Sequence, residues 1–84
     1  MKLRRGDVVH WVSCSAGTRL PKIGTVVAVV PPNADVERYC RRFRPCGFDT
    51  DRGGRDHESY IVYVAERGYY WPRVSLLVPI GGVK

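Results

Sequence analysis

The stretch Ile23-Gly24-Thr25-Val26-Val27-Ala28-Val29-Val30, followed at once by Pro31-Pro32, decides the fold class. Its β-branched residues favour an extended strand, and the prolines stop it because they lack a backbone donor. Apolar and polar residues do not alternate within it, so the strand is apolar on both faces and something must cover the second one. Upstream, the turn signal Gly6-Asp7 opens Val8-Val9-His10-Trp11-Val12, a β-branched and aromatic first strand. Ser13 to Pro21 contains Gly17 and Pro21 and reads as a loop. Downstream, Ser59-Tyr60-Ile61-Val62-Tyr63-Val64-Ala65 is a third strand, and Glu66-Arg67-Gly68 is a hairpin turn with Gly68 free to take positive φ. Tyr69-Tyr70-Trp71 returns as the fourth. Pro72 to Leu76 suits a single 3₁₀ turn, and Leu77-Val78-Pro79-Ile80 a fifth short strand that Pro79 confines to an edge.

These strands belong to a chain of 84 residues and 9.5 kDa, enough for one small domain spanning residues 1–84. A second independent core or a large substrate cleft does not fit. With 44% hydrophobic and 26% charged residues, the composition is that of a folded protein. The charged start Met1-Lys2-Leu3-Arg4-Arg5 is not followed by a signal-peptide core, and no apolar run is long enough to cross a bilayer. The expectation is a cytoplasmic protein with no membrane association. Cys14, Cys40 and Cys46 are odd in number, which fits reduced thiols better than a disulfide framework.

Residues 31–58 differ from the strands and form a basic insertion between strands two and three. Val36, Tyr39, Cys40 and Phe43 stand at i, i+3, i+4 and i+7, the apolar stripe of a short helix, with Glu37, Arg38, Arg41 and Arg42 on the other face. Asn33 or Asp35 is placed to cap its start, and Pro45 with Gly47 to end it. The stripe is expected to lie on the sheet and the arginines to face solvent. Phe48 to Arg55 has no period. Much of the net charge of +6 falls at the amino terminus and between Arg38 and Arg55.

Five short strands, a hairpin and a one-turn helix before the last strand predict a small, strongly bent barrel. Gly6-Asp7-Val8-Val9, Lys22-Ile23-Gly24-Thr25-Val26-Val27 and the ending Tyr70-Trp71-Pro72-Arg73-Val74-Ser75-Leu76-Leu77 resemble the SH3-like barrels, and among them the KOW-type modules. That resemblance implies a mainly β fold: a five-stranded SH3-like barrel with the helical insertion between strands 2 and 3 and a glycine, Gly24, where strands cross and bend. The whole chain, including Asp56-His57-Glu58-Ser59-Tyr60, also looks similar to small accessory proteins of phage and prophage regions.

Arg38, Arg41, Arg42 and Arg44 lie close together, and Arg52 and Arg55 follow. Guanidinium forks hold phosphate oxygens in bidentate geometry and release condensed counterions, so this face is a candidate for nucleic acid or another acidic partner. The bland alternative is a solvated face, or one paired with Asp35, Glu37, Asp49 and Asp51. Tyr69, Tyr70 and Trp71 alternate beside Arg67 and Arg73. One tyrosine should point outward there as a stacking surface, while Trp71 and Trp11 fill the core. Cys40, Cys46 and His57, with Cys14, offer zinc-ligating side chains, but the spacing from Cys40 to Cys46 is wider than that of a zinc knuckle and no second close cysteine pair exists, so no metal or other cofactor is expected. Asp56-His57-Glu58 puts an imidazole between carboxylates, but extended neighbours point to opposite sides. It reads as a clasp, with Arg55, for the end of the insertion. No nucleophile elbow or phosphate loop is present, and no enzymatic role is expected.

The resulting expectation is a non-enzymatic binding module. It contacts DNA or RNA phosphates through Arg38, Arg41, Arg42 and Arg44, with Arg52, Arg55, Arg73 and an exposed Tyr69 or Tyr70 in support. The alternative is a phage-type accessory protein that binds and inhibits or redirects a host protein or nucleoprotein complex, as an anti-CRISPR-like inhibitor does.

Overall fold

The computed structural model describes residues 2–15, 17–43 and 55–80. Its elements run β1 (Val8–Ser15), β2 (Thr18–Val30), α1 (Val36–Phe43), β3 (Ser59–Val64), β4 (Gly68–Tyr70), a 3₁₀ turn (Val74–Leu76) and β5 (Val78–Pro79). The strands form one antiparallel sheet in the order β4-β3-β2-β1-β5, open at its edges β4 and β5. The mainly β class therefore holds, with one short helix between strands two and three.

The loop expected over Ser13 to Pro21 is instead the end of a long β1–β2 hairpin. Its register continues from Val8↔Thr25 through Val12↔Pro21 to Ser15↔Thr18. Pro21 is tolerated because, among the described residues, only β1 pairs with this half of β2: the pairing with β3 begins at Thr25. The missing N–H breaks no ladder bond there.

Both faces of β2 are apolar for a reason visible in the register. Val26 pairs with Val62, but the next partners are Ala28 and Ile61, so Val27 is an extra residue, a bulge. The bulge reverses the alternation. Val26 joins the core of Leu3, Val9, Trp11, Tyr60, Val62 and Leu77, whereas Ala28 and Val30 join Ile61 and Trp71 on the other side. Tyr39 and Phe43 of α1 pack over that second cluster together with Ala34 and Tyr69. The helix is thus the cover that the two-sided strand requires. Asp35 caps it, its Oδ1 accepting from Glu37 N–H at 3.1 Å.

Gly24 acts by close approach and not through an unusual backbone angle. A Cβ placed on it would lie 2.5 Å from the Tyr63 carbonyl oxygen and 2.6 Å from Val62 Cγ1. Trp11 and Trp71 are both buried, as expected. The Trp71 Nε1–H donates to Ser59 Oγ at 2.9 Å, which satisfies both groups in the interior.

The helix covers only part of its face of the sheet. Cross-strand partners share a face, so Val8, Thr25 and Tyr63 lie in one row, Val78, His10 and Ile23 in the next, and Val12 and Pro21 beyond them. Val8, Val12, Ile23, Tyr63 and Val78 are all exposed, Ile23 the most at 58%.

Candidate nucleic-acid interface

Two local devices bring arginines to one groove. The first is the turn before β1. Asp7 N–H donates to the Arg4 carbonyl at 3.0 Å, the Asp7 carboxylate accepts from Arg4 N–H at 2.8 Å, and Gly6 takes φ +97°. Gly6 N–H and the Asp7 carbonyl then bond to Val26 at 2.8 Å each, fixing the turn against β2 with Arg5 on it. The second is the helix, where Arg38 and Arg42 stand one turn apart.

Arg5, Arg38 and Arg42 line an open groove of about 580 Å³ between α1 and β2, with Val27, Ala28, Val29, Tyr39 and Phe43. Arg42 is held near the floor, its guanidinium carbon 5.4 Å from the Phe43 ring centroid. None of the three arginines is in an ion pair with another described residue. The groove therefore offers free positive charge above an apolar and aromatic floor.

The other predicted residues are distributed differently. Arg41 is exposed on α1 and does not line the groove. Arg44 and Arg52 lie outside the described residues, as does Cys46. Tyr69 is half-buried against Phe43 and Tyr63, with ring centroids 5.1 Å apart in each pair. Tyr70 points to the opposite face, edge-on to Trp11 at 6.0 Å and beneath the Lys22 ammonium at 5.2 Å. Neither tyrosine is fully exposed; the outward aromatic of this hairpin is Tyr63.

Arg55 and Arg73 belong to a second groove, of about 530 Å³, lined also by His57, Val74 and Ser75. Arg55 directs both Nη atoms into the chain, donating to the carbonyls of Pro72 at 2.8 Å and Trp71 at 2.9 Å. The backbone N–H of Asn33 donates to the Arg55 carbonyl at 2.7 Å, which ties the start of the insertion to its end. Glu58 contributes to the same junction. It accepts from the Tyr60 hydroxyl at 2.9 Å and lies 3.5 Å from Lys2 Nζ. His57 and Asp56 pair at the surface at 2.9 Å, and this contact holds the Asp56 carboxyl below its ordinary range, first through the hydrogen bond and then through charge. The expected clasp exists, but the described bonds of Arg55 run to main-chain carbonyls.

Arg5 and the groove-facing use of Tyr39 and Phe43 were not evident from the sequence. Tyr39 and Phe43 stood in the stripe read as core, and they serve as both packing and groove floor. The signal for Arg5 was its position before Gly6-Asp7, but the direction of that turn depends on the bonds to Val26. No protein-family model, curated protein or solved structure matches this chain.

Proposed function

We propose that this chain is a small non-enzymatic binding module that contacts nucleic-acid phosphates through the arginine-lined groove between α1 and β2. The observation that carries the reading is the convergence of Arg5, Arg38 and Arg42, from two separate elements, without ion-pair partners among the described residues. Guanidinium groups hold phosphates bidentately, and each contact releases counterions. Such contacts are weakly sequence-selective and strongly salt-dependent. We read the scaffold as an SH3-like, KOW-type barrel. Support comes from the strand order β5-β1-β2-β3-β4 and the 3₁₀ turn that leads into β5.

The test is a titration of labelled short DNA and RNA at two salt concentrations. Binding that weakens steeply with salt supports the reading, and absence of binding to either polymer at low salt rejects it. A second reading, the phage-type accessory protein that docks on a host protein, is favoured by a different observation: the exposed apolar side chains of Val8, Val12, Ile23, Tyr63 and Val78, spread over three neighbouring rows of one sheet face. Apolar clusters of this kind mark interaction sites. A partner retained from nuclease-treated lysate by the protein but lost with Ile23→Asp supports that reading.

A further inference from the structure

We infer that the groove between α1 and β2 is built for single-stranded nucleic acid and not for duplex; this rests on the phosphate-binding reading given above. A duplex presents phosphates outward and keeps its base faces stacked inside, so a purely electrostatic surface suffices to hold it. This groove has a different composition. Its arginines come from two elements, with Arg5 on the turn before β1 and Arg38 and Arg42 on α1. The surface that accompanies them is apolar and aromatic: Val27 from the strand, Tyr39 and Phe43 from the helix. An apolar floor gives nothing to a phosphate. It suits the face of an unstacked base, which only a single strand can offer.

Arg42 adds to this match. Its guanidinium stands over the Phe43 ring and presents a second flat, delocalised surface beside the aromatic one. Bases stack on arginine planes as well as on aromatic rings. The volume of about 580 Å³ and the open form leave room for a strand to enter without rearranging the helix. Val27 reaches the floor as the extra residue of the β2 bulge, so the bulge that lets α1 cover the sheet also shapes the groove.

The experiment compares one oligonucleotide of about twelve nucleotides, as single-stranded DNA, as single-stranded RNA and as the DNA duplex, by fluorescence anisotropy at low and near-physiological salt. The expected result is tighter binding of at least one single strand than of the duplex. Tyr39→Leu and Phe43→Leu keep the apolar packing and remove the rings, with circular dichroism to verify folding. Loss of one base–aromatic stack should weaken single-strand binding by about fivefold or more and leave duplex binding unchanged. Arg38→Ala should weaken binding to all three. Duplex bound as well as or better than both single strands, or equal losses for both forms in Tyr39→Leu and Phe43→Leu, overturns the single-strand inference while the phosphate reading stands. Binding to none of the three overturns both.

Discussion

The Arg55 guanidinium lies 4.1 Å from the centroid of the Trp71 ring and donates to the Trp71 carbonyl at 2.9 Å, so one side chain grips both the ring and the backbone of the other. Trp71 is almost completely buried in the cluster that α1 packs over, and Arg55 lies near the end of the insertion, shortly before β3 begins at Ser59. The grip therefore fixes the insertion to the second core.

Removing it should destabilise the fold. Arg55→Ala is expected to lower unfolding free energy by about 2 to 3 kcal/mol, the range for hydrogen bonds from a charged group plus a lost cation–π contact. Arg55→Lys should recover only part of this, because an ammonium cannot reproduce the fork. Urea denaturation followed by tryptophan fluorescence measures both. Wild-type stability in Arg55→Ala would refute the role.

Adjacent residues of β2 should respond in opposite ways. Gly24→Ala places a methyl group 2.5 Å from the Tyr63 carbonyl oxygen, a clash with backbone that rotamer changes cannot relieve, and should cost about 2 to 3 kcal/mol. Ile23→Thr lies on the uncovered face and should stay within about 0.5 kcal/mol of wild type. Chemical denaturation of the two variants side by side checks the contrast.

Alkaline stability should depend on Tyr60. Burial, opposed by the Leu3 N–H and reinforced by Glu58, raises the Tyr60 hydroxyl above its ordinary value. A raised folded value means that the folded state favours the neutral phenol. Its contribution is complete below the unfolded value near 10 and is lost as pH rises through the folded one. Stability should fall more steeply above pH 10 in the wild type than in Tyr60→Phe, as read from denaturation midpoints across that range. Parallel curves would contradict this.

Salt titrations should separate the arginines. Arg5→Ala, Arg38→Ala and Arg42→Ala should each reduce the slope of log K against log salt by about 1, whereas Arg41→Ala, outside the groove, should leave it nearly unchanged. Equal slopes for all four variants would mean that the groove is not the contact surface.

The helix was legible because its signal is local. A stripe at i, i+3, i+4 and i+7 and the capping Asp35 are written within nine residues, and α1 spans Val36–Phe43. The β3–β4 hairpin was legible for the same reason, and Gly68 takes φ +106° as expected. The arm of the β1–β2 hairpin was hidden because Pro21 and Gly17 carry breaker signals, and the proline is harmless because, among the described residues, only β1 pairs with that part of β2. Of the site, Arg38 and Arg42 followed from helical spacing. Arg5 did not, since its place depends on bonds to Val26, about twenty residues away along the chain. Tyr69 and Tyr70 show the limit of alternation: it separates their faces but not what covers each.

The bulge at Val27 gives β2 two reading phases, one before it and one after. Because Ala28 already follows Val26 in the pairing with β3, deleting Val27 would restore unbroken alternation while leaving Ala28 and Val30 on the side of Trp71 and Val29 on the side of Trp11. What the helix would lose is Val27 itself, which packs against the second cluster and lines the groove. At this point β2 carries one residue of slack, so a single loss here is absorbed; in the regularly paired stretch from Val8 to Val12 and Pro21 to Thr25 the same loss has nothing to absorb it and would turn the side chains beyond it to the opposite face.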